Sequence, residues 1–190
     1  MKKYKLTDET REVGGATLYR ICALRDFSTV KAGDLGGWVQ SEKNLSQNGL
    51  CWMSGNSSMS GNSRMSGNSS MSGNSSMSDN SSMSGNSIMY GNSWMSDNSS
   101  IGGKMFLSGD ASLKAAPIYI QGTQYWLGYC GEPGMIRSGC INKPIEWWLE
   151  HVEQCGGHEG YSEIEQREYR MHFEHVAAWM KLYGLDKEGA

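Results

Sequence analysis

The sequence predicts a mainly β protein: a solenoid of six-residue units, with a small β cap before it and strands plus two helices after it. Three observations carry this. An apolar residue recurs every sixth position, at Met53, Met59, Met65, Met71, Met77, Met83, Met89 and Met95, and then at Ile101, Leu107 and Leu113. Each Met-headed unit contains a Gly-Asn or Asp-Asn pair. Composition changes sharply at both ends, and all four histidines lie in the tail.

A period of six excludes a helix. Six residues rotate an α-helix by about 600°, so successive Met side chains would point three ways and form no stripe. A strand suits the period, because an even spacing puts every Met on one face. Gly-Asn and Asp-Asn tolerate positive φ and so supply a corner. Each unit is therefore a short strand and a bend, and stacking of units covers the apolar face. Val39 and Leu45 extend the register backwards, and an eight-residue step then leads to Met53. The solenoid is expected over 39–118, with one insertion near Leu50–Trp52.

The unit reads apolar, Ser, Gly, Asn, Ser, variable. It resembles the hexapeptide repeat of left-handed parallel β-helices, the solenoid of the hexapeptide acyltransferases. The resemblance implies that the first and fifth positions point inward, and that three units close a coil of roughly 18 residues with coils about 4.8 Å apart. It also implies asparagine ladders at the corners, where amides bond along the stack. The choice of Met and Ser departs from the family's aliphatic and Ala preference. Regular, one-faced Met reads as core rather than as a copper site.

Residues 1–38 read as the N-terminal cap. Leu18–Leu24 is a strand candidate, and "AGDLGGW" supplies turns before Trp38 enters the first coil. Residues 119–190 read as the C-terminal domain. Glu132-Pro133-Gly134 is a hairpin turn between strands over Tyr125–Cys130 and Met135–Ile141. Pro144 opens a helix bearing Ile145, Trp148, Leu149 and Val152 at helical spacing, which Gly156-Gly157 ends. Ser162 and Glu165 form a capping box for a second helix, whose face carries Tyr169, Phe173, Val176, Met180 and Tyr183 up to Gly184. The flanks "TLYRICALRDFSTVKAGDLGGWVQSEKNLS" and "IEWWLEH…GYSEIEQREYR" make the chain similar to hexapeptide-repeat proteins carried by bacteriophages and prophages. Their transferase label rests on the solenoid alone.

Net charge is −3, and charged residues form 19% of the chain. Neither a nucleic-acid partner nor a membrane partner is expected from this balance. The start "MKKYKLTDETREVGG" has no apolar segment behind its lysines, so a cytoplasmic location is expected. Five scattered cysteines suggest reduced, mostly buried thiols. Cys130, Cys140, Cys155 and His158 match no common zinc spacing, so neither a metal nor a cofactor is expected.

No nucleophile elbow, P-loop, dinucleotide fingerprint or HExxH helix is present. Residues 39–118 contain no histidine; His151, His158, His172 and His175 all follow them. The expectation from sequence is a non-catalytic binding or scaffold protein, not an enzyme, capturing a host protein or a small ligand. The alternative is a hexapeptide-type acyltransferase with a cross-subunit pocket and tail histidines; an ice-binding solenoid is a remote third reading. Outward apolar residues at the last position of the unit, Ile88, Trp94 and Phe106, with Tyr90 beside them, form an expected contact surface. Trp147 and Trp179 join it as candidates. A homo-oligomer is expected, with a trimer favoured over a dimer.

Overall fold

The computed structural model describes residues 2–103, 105–107, 109, 112–113, 118–129 and 131–186. The chain divides into two compact units, Met1–Ala116 and Pro117–Ala190. No helix among the described residues is long and apolar enough to cross a membrane.

The first unit is a parallel β-solenoid of about four turns. Its two-residue strands run from Trp52–Met53 to Ser112–Leu113. Each pairs with the strand 18 residues along, as in Met59↔Met77, Met71↔Met89 and Met65↔Met83. The strands build three faces, and each face carries its own inward column. Every inward residue from Met53 to Met95 is at most 1% exposed, and Ile101 and Leu107 are at 2% and 1%. Leu113 pairs with Met95, and its side chain lies outside the described residues.

The fifth-position serines point inward, as expected, and Ser57, Ser63, Ser69, Ser75, Ser81, Ser87, Ser93 and Ser99 are fully buried. A buried hydroxyl without a partner is costly. Here each one donates to the carbonyl three residues earlier, for example Ser69 Oγ to Ser66 O at 2.6 Å and Ser75 Oγ to Ser72 O at 2.8 Å. The hydroxyl thereby closes the corner it sits in. At the corner itself Gly67 has φ +71°, and an added Cβ would lie 2.9 Å from both the N and the O of Gly85 one coil away. Asp79 and Asp97 take the glycine's place at φ 55° and 57°, which Asp tolerates. Outside the corners the asparagines stack: Asn56 donates to Asn74 and Asn74 to Asn92 at 3.3 and 3.1 Å.

The eight-residue step is also real. Val39 pairs with Met59 and Leu45 bridges Met65, each 20 residues apart, whereas Met53 pairs with Met71 at 18. The two extra residues are absorbed between Leu45 and Met53, where Leu50 N and Cys51 N both donate to Gly67 O.

The N-terminal cap contains a strand that the sequence reading misses. Tyr4–Val13 pairs antiparallel with Ala16–Ala23. Gly14-Gly15 between them, both at positive φ, is the two-residue hairpin signal that would have found it. The second strand then pairs with Leu35–Val39, so part of the expected turn region is strand. Gly36 and Gly37 are there for space: a Cβ on Gly36 would lie 2.5 Å from Ile21, and one on Gly37 would lie 2.6 Å from Ser57 O. Val39 in turn pairs parallel with Met59, which makes the hairpin a continuation of one solenoid face. That pairing removes an open strand edge.

The start of the chain plugs the prism. Tyr4 Oη donates to Leu45 O at 2.6 Å, and Phe27 meets Trp52 edge-on at 5.4 Å. Lys3 is fully buried; its ammonium donates to Cys51 O at 2.8 Å and lies 3.2 Å from Cys51 Sγ. Of the described cysteines only Cys51 is buried. Cys22 and Cys155 are half-buried and Cys140 is exposed, which corrects the expectation of mostly buried thiols.

The second unit is a four-stranded antiparallel meander, Tyr119–Gln121, Trp126–Tyr129, Met135–Ser138 and Ile141–Pro144, followed by helices α1 (Ile145–His158) and α2 (Glu163–Leu182). Gly134 (φ +74°) turns the expected hairpin. The strand expected over Met135–Ile141 is instead broken by a second turn at Gly139 (φ +55°). Trp148 of α1 stacks on Phe173 of α2 at 4.6 Å and donates Nε1–H to Ile136 O at 2.9 Å.

α1 runs past Gly156-Gly157, which the sequence reading takes as its end. Gly160 (φ +77°) ends it in a Schellman motif, with Tyr161 N donating to Gly156 O at 2.8 Å and Gly160 N to Gly157 O at 3.3 Å. Gly156 instead makes room for Gln166, whose Cγ would lie 2.9 Å from an added Cβ. On α1, Leu149 is half-buried; on α2, Tyr169, Phe173, Val176 and Met180 are buried, whereas Tyr183 sits past the helix end at 60% exposure.

Two outcomes follow for the first unit. Met71→Ala is expected to cost about 2–5 kcal/mol by opening a cavity, and Met71→Leu less than about 1.5 kcal/mol, as read by urea unfolding. Burial holds the Lys3 ammonium below the ordinary lysine range, so the unfolded chain binds that proton more tightly than the folded one. The penalty is present below the folded pKa and lifts as pH rises through it towards the unfolded value. Lys3→Met is expected to abolish this alkaline gain in stability, measured by unfolding at a series of pH values.

Candidate active site

The sequence reading leaves four tail histidines as candidates for acid–base chemistry, and the second unit does not gather them. His158 ends α1 and is exposed; His175 is exposed on α2. His151 is half-buried, stacked on Trp147 at 4.6 Å, with Nδ1 2.9 Å from Trp147 O.

His172 is the one held by a carboxylate. The capping box fixes the start of α2: Ser162 Oγ accepts from Glu165 N, and Glu165 accepts from Ser162 N at 2.8 Å. One turn further on, Glu168 and His172 share a face at i, i+4, with Nε2 3.3 Å from Oε1. Such a pair is common on helices. This one is distinguished by how Glu168 is anchored. Its Oε1 accepts from Thr123 N at 3.0 Å, and its Oε2 accepts from Thr123 Oγ1. Those bonds, more than the neighbouring imidazole, hold its carboxyl below the usual glutamate range.

Thr123 is itself positioned by Tyr169, whose hydroxyl accepts from Gln124 N and Tyr125 N and donates to Tyr125 O at 2.7 Å. Gly122 is required beside it, since a Cβ there would lie 2.7 Å from the Tyr169 hydroxyl. The carboxylate can only accept, so of the two neutral tautomers of His172 it selects the one with the proton on Nε2, which leaves a lone pair on Nδ1. Chemically this is a base oriented by an acid, and the acid is fixed by a turn. Glu168 and Thr123 are absent from the sequence candidates. The spacing of Glu168 and His172 was a local signal for one of them; nothing local pointed to Thr123.

The expected contact residues fall on both units. Ile88 and Phe106 are paired in register on one solenoid face, in a column with Ser70 and Trp52. Trp94 lies on the adjoining face between Ser76 and Ser112, and Tyr90 is 41% exposed at the end of its strand. Trp147 is half-buried on α1, between Trp148 and His151, with Lys143 Nζ 5.4 Å from its ring. Trp179 is half-buried on α2 between Tyr129 and Tyr183. Among the described residues, no three His, Cys, Asp or Glu side chains form a metal-holding cluster; Cys130 lies outside them.

No protein-family model matches the chain. The chain is similar to an uncharacterized acetyltransferase, YdcK, of Escherichia coli strain K12, at 38% identity over 61 residues. The match covers 28% of this chain, which spans about a fifth (19%) of the length of that relative. The comparison, together with the solenoid, fits a hexapeptide-repeat protein. It also overturns the expectation of a chain that is not an enzyme, since the relative is named an acetyltransferase. The acyltransferase-like alternative is thereby favoured over the non-catalytic scaffold.

Because Glu168 has a depressed pKa, its contribution to stability is present above the unfolded glutamate value and is lost as pH falls through the folded value. Glu168→Gln is expected to destabilise the protein at neutral pH, with the difference from wild type vanishing in acid. Thermal unfolding across that range reads it.

Proposed function

We propose that this protein is a hexapeptide-type acyltransferase-like enzyme, moving an acyl group from a thioester to a small hydroxyl or amine acceptor. The observation that carries the reading is the similarity to a named acetyltransferase in a chain that folds as a β-solenoid of six-residue units. His172 is the candidate general base, with its Nδ1 lone pair taking the acceptor's proton as the acceptor attacks the thioester carbonyl; the C–S bond then breaks and the thiolate leaves as thiol with the proton returned from the imidazolium. Glu168 and Thr123 are positioning residues, holding the imidazole in the tautomer that leaves Nδ1 unprotonated.

Assembly belongs to the same proposal. Ile88 and Phe106 are half-buried neighbours on one solenoid face, and a homotrimer formed there would cover them.

The test is thiol release from acetyl-coenzyme A over a panel of small amines and alcohols. Wild type is expected to turn over at least one acceptor, and His172→Ala to lose about 10²- to 10⁴-fold in kcat. Full activity in His172→Ala removes that residue from the mechanism. Absence of both turnover and thioester binding in wild type sinks the enzyme reading. Light scattering on the double variant Ile88→Asp, Phe106→Asp is expected to show a smaller particle than wild type.

A further inference from the structure

The first corner of the solenoid departs from the repeat, and the departure opens a cavity. In this stretch the register is 20 residues, with Leu45 bridging Met65, so the corner carries Ser41-Glu42 where the next coil has Gly61-Asn62. No asparagine ladder starts there, although Asn62 donates onward to Asn80 at 3.2 Å. Asn44 stands at the counterpart of Arg64 instead. Its side chain is buried at 1% exposure and donates to Gly61 O at 3.1 Å and Ser63 O at 2.9 Å, while its Oδ1 accepts from Ser41 N at 2.9 Å. The turn between Val39 and Leu45 is tied to the next coil by Gln40 and Asn44, with a hollow beside those bonds.

The space left is a cavity of about 360 Å³, lined by Gln40, Ser41, Lys43, Asn44 and the segment Gly61–Arg64. That size suits a small ligand. The lining contains two cations and no acid. Glu42, the acid in the same turn, points to Lys2 instead, with Nζ 2.8 Å from Oε1. Neither Lys43 nor Arg64 has an ion-pair partner among the described residues. Gln40 Oε1 accepts from Gly61 N at 2.7 Å, which leaves its Nε2–H groups as further donors.

Arg64 is also out of place in the repeat. The last position of the unit is Ser at Ser58, Ser70, Ser76, Ser82 and Ser100, and among the Met-headed units Arg64 alone carries a charge there. The strand does not need it, since its neighbour in register is Ser82.

We propose that this corner is a binding site for a phosphate group, with the Arg64 guanidinium as a fork and the Lys43 ammonium as a point charge on the same anion. Gln40 and Asn62 amides complete the donor set. The site is independent of the acyl-transfer reading and lies wholly within the first unit. A free phosphate ion and the phosphate of a monoester present the same chemistry to it.

The test is titration of the full-length protein with inorganic phosphate and separately with phenyl phosphate, followed by amide chemical shifts. Saturable shifts confined to residues 40–44 and 61–64 are expected. Arg64→Ser and Lys43→Gln are each expected to weaken the binding by about tenfold or more. Arg64→Ser installs the repeat's own residue, so its fold is expected to survive, and unchanged circular dichroism checks this. Tighter binding of phenyl phosphate than of inorganic phosphate would identify an ester as the ligand class; equal or weaker binding would identify the free ion. Non-saturating shifts, or shifts unchanged in a folded Arg64→Ser protein, would overturn the site.

Discussion

The solenoid depends on one repeated backbone bond. In each unit the amides after the inward residue donate to the coil 18 residues along: Ser54 N to Met71 O, Asn56 N to Gly73 O, Ser58 N to Ser75 O. A segment made mostly of Ser, Gly and Asn, as residues 53–100 are, has little apolar surface to bury, so satisfying every buried amide matters more here than in an ordinary core. The bond requires coils of constant length, and constant length requires a corner every six residues. The positive-φ residue and the inward Ser hydroxyl supply that corner together. Met then fills what space the coil leaves, and its flexible thioether accommodates a core that has no other shape to offer.

The same constraint explains where chemistry has to go. A corner whose Gly carries positive φ, whose Ser hydroxyl is committed to a carbonyl and whose Asn amide bonds along the stack has little left to act with. Functional groups therefore collect where the repeat is broken or has ended. The turn Ser41–Asn44 is one such place, because it lacks the Gly-Asn corner and sets Lys43 and Arg64 along one cavity. The second unit is the other. There Tyr169 holds the turn carrying Thr123, Thr123 holds Glu168, and Glu168 holds His172. Each link is a hydrogen bond between residues distant in sequence or one helical turn apart. The imidazole at the end of the chain is oriented by three predecessors.

Much of the fold was legible because its signals are periodic. A Met every sixth residue states which side of the strand is buried, and Gly-Asn states where the chain bends, so the inward face, the bends and the insertion before Met53 could be read directly, whereas three columns and corner ladders followed from the resemblance to the hexapeptide repeat. Pro144, the Ser162–Glu165 capping box and Gly184 placed both helices. The end of α1 was misread because two glycines in a row look like a stop, whereas Gly156 is there to admit Gln166 and Gly160 makes the turn. The Tyr4–Val13 strand was passed over because its alternation is weak, although Gly14-Gly15 marked its hairpin.

Residue order alone determined the inward face, the corner and the helix caps, because each is a local rule about φ, period or an orphan amide. Only the tertiary structure decided that the N-terminal hairpin extends one solenoid face, that Lys3 lies buried against Cys51, and that Thr123 grips Glu168. These are pairings between segments dozens of residues apart. No period links them, and they exist only once the coils and the helices have brought their backbones together.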